Sequence, residues 1–293
     1  MEVSERTLES LCSCFPGRQA VLLNCGNICK PNSLLEAVLS NCDNTCKHNK
    51  DRNQIPDHWT GSIELKPLSP QKPKNADNKL ARTFKNVIGT DTSPEQLEFA
   101  AKVPNVDMNV LLPKYPQQNL KKNWIGIQCY LVTIAQAMHW FDLPEFYKLV
   151  KWILKKPNGV IAAWCYTVAE VNQKIDPRSS NALKGYYGDA QPYWEAPIKL
   201  VDNRYETIDF PFQPVDGLDH TGPFKFKSET LMDLDGYFTY IRSLSAYQTA
   251  KEKGVELLTD DLVKDFTAAW NEDGKPEKVV SFPTYLKIGR VGN

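Results

Sequence analysis

Few side chains in this chain are placed where their types and spacing suggest chemistry. Six of the eight cysteines lie before residue 47, and only Cys129 and Cys165 lie beyond. Cys25-x3-Cys29 and Cys42-x3-Cys46, with His48 close by, have a spacing within the range that supplies four thiolates to zinc. No knuckle glycine or flanking aromatic accompanies them. The plainer reading, unpaired thiols in a poorly structured segment, is favoured, and no metal site is expected. His139, within AQAMHWFD, has the side chain of a general base that orients or deprotonates a nucleophile; the alternative is a helix cap, with Trp140 filling a core. Asp91 ends an apolar run and precedes Thr92, Ser93 and Pro94, which suits a helix start. His220, in DHTGPF, reads as a turn residue. The chain has no Gly-x-Ser-x-Gly elbow, which argues against a serine hydrolase.

The elements that must position these residues are legible from about Leu80 onward. Phe84–Thr90 is a short β-type run ending at Asp91. Thr92 or Ser93 caps a helix with Leu97, Phe99 and Ala100 on its apolar side. Leu131–Ala135 and Val160–Tyr166 are continuous apolar runs, as in strands buried on both faces. Between them Pro144 opens a helix that runs through Lys155, with Phe146, Leu149, Val150 and Ile153 on one face. Pro157, Asn158 and Gly159 stop it. Strand alternating with helix predicts an α/β fold with a parallel sheet. Further on, Ile208–Phe212 and Pro223–Phe226 are candidate strands. Helices are expected over 231–243, 246–253 and 260–270, and a last strand over 279–288. Before Leu80 the chain shows little beyond a possible short helix at Leu34–Leu39, capped by Ser33, and a Pro-punctuated stretch around Pro67, Pro70 and Pro73 that reads as linker or disorder.

Three segments carry a family likeness: NVIGTDTSPEQLEFAAKVPNV (86–106), LVTIAQAMHWFDLPEFYKLVKWILKKPNGVIAAWCY (131–166) and YIRSLSAYQTAKEKGVELLT (240–259). They resemble a plant group of class I S-adenosylmethionine (SAM) dependent methyltransferases of the type 11 kind, and AQAMHWFD is the group's most specific stretch. The resemblance implies a Rossmann-like sheet with helices on both faces, SAM as cofactor, and a small-molecule methyl acceptor. It also implies roles. Asp91 would accept hydrogen bonds from the ribose hydroxyls, since a carboxylate offers two acceptors to a vicinal diol. Thr92, Ala135, Gln136, Ala137 and Trp140 would line the cofactor, with Trp140 against the sulfonium or adenine. His139 would be catalytic. Trp164 and Tyr166 would be core and pocket wall. The helices bearing Tyr240, Arg242 and Tyr247 would cap the ligand edge.

The chain departs from the family in two places. The first strand and its glycine-rich turn are expected roughly 15 to 20 residues before Asp91, near Pro70, where SPQKPKNADNKLARTF has neither glycine nor an apolar strand; Gly17, Gly26 and Gly61 stand alone. The sheet is therefore expected to be incomplete at its first strand. Residues 1–80 read as an unrecognised Cys-rich, partly disordered segment before a methyltransferase-like domain over 81–293, whose cap and last strands occupy 210–293. Residues 107–130 lack the family pattern. Codons can be chosen for Asp107–Cys129 so that a one-base shift gives RYECTSPKISTAELEKKLDRNSV, which has the expected turn and helix, so a short out-of-frame segment is expected there. The rival functional reading is an inactive methyltransferase-like protein that lacks the cofactor's glycine loop.

Bulk properties narrow the partners. Lys plus Arg equals Asp plus Glu, 35 against 35, which gives no electrostatic case for nucleic acid or an anionic membrane. No apolar run is long enough to span a bilayer, and Glu2 and Glu5 argue against a signal peptide. A cytoplasmic, reducing compartment is the default expectation. The sequence leaves the oligomeric state open.

Overall fold

A computed structural model describes residues 19–24, 80–81, 84–91, 97, 102–110, 128–171 and 185–293, with 19–24 and Val110 as backbone only. Five parallel strands form the left half of one sheet: β1 (Gln19–Asn24), β2 (Asn86–Asp91), β3 (Val106–Val110), β4 (Leu131–Ala135) and β5 (Val160–Tyr166). A two-residue strand, β6 (Glu170–Val171), continues the line of β5. Beyond them come β7 (Phe224–Asp233) and β8 (Glu277–Arg290). The order is β3-β2-β1-β4-β5-β8, with β8 antiparallel to β5. Thr284, Tyr285 and Leu286 of β8 pair with both β5 and β7, so β7 lies on the outer edge of β8.

Side chains of the fully buried central strands alternate between the two faces of the sheet and make two core layers. Val132 and Ile134 of β4 share one layer with Ile161, Ala163 and Cys165 of β5, against Leu149, Val150 and Ile153 of α1 (Leu143–Ile153). Leu131, Ala135, Val160, Ala162 and Trp164 face the other layer, with Leu80, Phe84, Val87, Phe224 and Leu286. The helix α1 starts where Asp142 accepts from the Glu145 amide at 3.4 Å, with Pro144 in its first turn. It stops near Gly159, where a Cβ would lie 2.7 Å from the Lys155 carbonyl oxygen. A third cluster covers the β5 end. It is built from a helical segment at 185–190, α3 (Leu234–Arg242), α4 (Ser245–Glu252) and α5 (Asp260–Asn271), packed on Tyr166, Val280 and Phe282. The short helix α2 (Ile198–Asp202) adds Val201 to the α1 layer.

Three expectations change. The first strand is present: Ala20–Asn24 pairs with Leu131–Ala135 on one side, and Gln19–Leu23 with Asn86–Thr90 on the other. It comes from QAVLLN, far earlier in the chain than Pro70. A β strand needs only a short run able to pair along both edges, and sequence distance does not limit that. Second, Ile208–Phe212 is not a strand. Pro211 has no amide to give to a ladder, and Ile208 and Phe210 instead enter the α1 layer. Third, the helix expected from Leu231 begins at Leu234, because β7 keeps pairing with β8 as far as Asp233, whose carboxylate then caps the Gly236 amide at 2.8 Å. Val106–Val110 forms β3 beside β2, so part of the stretch unlike the family still makes a sheet strand. The Leu34–Leu39 helix, Thr92, Ser93, Cys25, Cys29, Cys42, Cys46 and His48 lie outside the described residues.

Candidate functional site

The carboxyl ends of the parallel strands bring the expected residues to one edge of the sheet. Asp91 is the last residue of β2 and Ala135 the last of β4, and β1 lies between those strands. Adjacent strands lie about 4.8 Å apart, so the two positions are separated by roughly 10 Å along the edge, the span of a nucleoside. Asp91 is buried. Gly26 follows the end of β1 by two residues in sequence, outside the described residues.

Past β4 the chain makes a tight turn that fixes the next four residues. Gln136 has a φ of 52°, a left-handed conformation that costs a residue other than glycine about 1 kcal/mol or more. Its main-chain amide donates to the Trp164 carbonyl at 2.9 Å. Its side chain then takes over the ladder: Oε1 accepts from the Tyr166 amide at 2.9 Å and Nε2 donates to the Tyr166 carbonyl at 3.1 Å. The amide thus clamps the ends of β4 and β5 together, a task that uses both its donor and its acceptor side. Ala137 is buried in the core beside Met138.

Met138–Trp140 forms one 3-10 turn that presents His139 and Trp140, with ring centroids 5.1 Å apart. His139 is 7% exposed, and burial alone lowers its pKa to about 4, so the ring is neutral at physiological pH. Its Nδ1 lies 2.9 Å from the Tyr205 hydroxyl. Tyr205 is fully buried and also left-handed, with a φ of 58°. Backbone strain at both Gln136 and Tyr205 marks a turn and a loop held in place by their surroundings.

Above these residues is a cavity of about 300 Å³. Gln136, His139 and Trp140 form one wall and Tyr166, Thr167 and Val168 another; Tyr187, Gln191 and Trp194 approach from the chain before α2, Ile198, Val201 and Asp202 from α2, and Tyr240, Ser243, Leu244 and Ser245 from the cap. Sequence reasoning passed over Tyr187, Trp194, Asp202 and Tyr205. The signal available was the aromatic density of YYGDAQPYW (186–194), unusual for a surface connection.

The other candidates separate from this site. Trp164 is buried in the opposite layer, whereas Tyr166 is both core and cavity wall. Of the three cap residues, Tyr240 lines the cavity; Arg242 lies over the Phe238 ring at 5.7 Å, and Tyr247 donates to Glu256 at 2.9 Å. His220 sits in the turn before β7, accepting from the Gly222 amide at 3.0 Å. Cys129 and Cys165 are buried free thiols; burial raises Cys129 to about 12 and Cys165 further, so neither is a ready nucleophile. Among the described residues no cluster suited to a metal ion occurs, and no helix is long and apolar enough to cross a membrane.

A sheet in the order 3-2-1-4-5 with an antiparallel strand beside β5, and a ligand cleft at the carboxyl ends, defines the Rossmann-like fold of the class I methyltransferases. Comparison with known proteins agrees. The full chain superposes on 98% of the structure of a type II methyltransferase from Anaeromyxobacter dehalogenans, with a TM-score of 0.60 and 21% identity. A Dictyostelium discoideum protein named as a methyltransferase is 28% identical over 214 residues, 72% of this chain and 76% of the relative. No family model matches the chain. The chain is therefore similar in sequence to a methyltransferase relative and in fold to a methyltransferase structure.

Proposed function

We propose that the chain binds SAM along the carboxyl edge of β2, β1 and β4 and methylates a small-molecule acceptor held in the cavity over β4 and β5. The observation that carries this reading is the convergence of Asp91 and the Ala135–Trp140 turn on one sheet edge, with β1 between their strands. The residues there fit the nucleoside part of the cofactor: a carboxylate for the ribose diol at Asp91, a methyl-sized side chain at Ala135 that lets a ring come close, and an aromatic face at Trp140. Thr92 would stand beside Asp91.

SAM, when bound, supplies an activated methyl group on a sulfonium, ready for in-line displacement. The chain's own residues then need to position the acceptor and exclude water. Gln136 is a positioning residue in this scheme, fixing the β4 and β5 ends relative to each other through Tyr166, and Ala137 anchors the turn from the core. His139 is neutral and its Nδ1 is engaged by Tyr205; in the tautomer where Nδ1–H donates to the Tyr205 hydroxyl, Nε2 accepts a hydrogen bond from the acceptor's nucleophilic atom and orients its lone pair. A base with a pKa of about 4 is too weak to strip a proton in advance, so orientation is its role, with the proton lost as the bond forms.

The test is release of S-adenosylhomocysteine (SAH) from SAM, assayed across a library of small amines, phenols and carboxylic acids. Turnover with at least one acceptor, reduced about 10- to 100-fold in His139→Ala, is expected. Absence of turnover throughout the library, together with failure to bind SAM, would place the chain among inactive methyltransferase-like proteins.

A further inference from the structure

The lining of the cavity points to the chemistry of its occupant. We infer that the cavity is selective for a planar amine and discriminates against carboxylates, an inference that rests on the reading of the cavity as the acceptor site.

Besides His139, five aromatic side chains line the space: Trp140 after β4, Tyr166 at the end of β5, Tyr187, Trp194, and Tyr240 of α3. Two of them share a support, since Phe282 of β8 meets Tyr166 edge-on at 5.7 Å and Tyr240 edge-on at 5.3 Å. Aromatic faces carry partial negative charge and attract a cation lying over them. The ionisable groups have the same sense. Among the described lining residues Asp202 is the sole carboxylate, His139 is neutral, and neither lysine nor arginine occurs. Cations of the cap are turned elsewhere: Arg242 lies over Phe238 at 5.7 Å and Lys253 over Tyr193 at 5.5 Å. Partial desolvation at the cavity rim raises the Asp202 carboxyl above its ordinary value. An anionic acceptor would meet aromatic side chains and a carboxylate, with no counter-charge among the described lining residues. An ammonium would find both favourable. The volume, about 300 Å³, is at the lower limit of ligand cavities and suits a compact ring system.

In the transfer the amine gives up its extra proton to water and attacks as the free base. Its lone pair forms the N–C bond while the S–C pair stays on sulfur as a neutral thioether. The product ammonium then returns one proton to water.

The experiment uses the full chain with saturating SAH, which has no sulfonium to compete for the rings. Tryptamine and its carboxylate counterpart indole-3-propionate are titrated by calorimetry. Tryptamine is expected to bind about tenfold or more tightly than the carboxylate, the ratio a favourable cation–π contact gives. Asp202→Asn, exposed and outside the core, is expected to fold normally and to shrink that ratio; Tyr240→Leu is expected to weaken tryptamine more than 3-ethylindole, its uncharged analogue. Equal or tighter binding of the carboxylate overturns the inference, as does binding of SAH without either probe. Failure of SAH itself to bind would count against the cofactor reading instead, and the probe ratio measured without nucleoside would still decide the cavity's preference.

Discussion

At the scale of single residues, His139 and Gln136 carry the turn after β4, and each makes a distinct prediction. His139 is buried with its pKa lowered to about 4 from an ordinary 6.5. Between those values the unfolded chain binds a proton that the folded chain refuses. Stability is therefore fully present above pH 6.5 and falls as the pH drops toward 4, by about 3 kcal/mol from this residue alone. Urea melts at pH 7.5 and pH 4.5 measure the fall, and His139→Gln, which can still bond the Tyr205 hydroxyl, is expected to flatten it. An unchanged pH slope in that variant would contradict the burial assigned to the ring. Gln136→Leu removes both bonds to the Tyr166 peptide and leaves its amide and carbonyl without those partners. The expected loss is about 1–3 kcal/mol, and Gln136→Glu, which keeps the acceptor and loses the donor, should lie between. If Gln136→Leu were as stable as the parent, the clamp between β4 and β5 would have no energetic role.

At the scale of elements, β1 is the strand on which the sheet depends. It pairs along its length with both β2 and β4, so its removal would open two ladders in the middle of the sheet. A chain beginning at Leu80 is expected to lose its cooperative thermal transition, which circular dichroism reads directly. A sharp transition near that of the full chain would show that β2 and β4 close without it. The sequence made some of these elements plain and hid others for physical reasons. Leu131–Ala135 and Val160–Tyr166 were legible to the residue because strands buried on both faces are continuously apolar. QAVLLN has the same character in short form, but more than sixty residues separate it from β2, and the search for a first strand near Pro70 assumed a compact β-α-β unit. Ile208–Phe212 looked like a strand because its residues are apolar; burial in a loop against Tyr147, which donates to the Asp209 carbonyl at 2.9 Å, demands the same residue types. Of the proposed site, Asp91, His139 and Trp140 were named through family likeness. Asp202, which lines the cavity, and Tyr205, which sits behind His139, were not, because tertiary packing that no local pattern encodes brings them there.

At the scale of the whole molecule, the proposed function makes one sheet edge serve two ligands. Nucleoside is placed along β2, β1 and β4, and acceptor under the cap over β4 and β5, with the Gln136–Trp140 turn shared between them. Its central claim is that this edge holds SAM. The most direct measurement is calorimetric titration of SAM into the purified full chain and into Asp91→Ala. The account predicts a dissociation constant in the micromolar range, weakened about tenfold or more when the carboxylate is removed, the cost of losing charge-assisted hydrogen bonds to a diol. No heat at millimolar SAM, or the same affinity in both proteins, would contradict it.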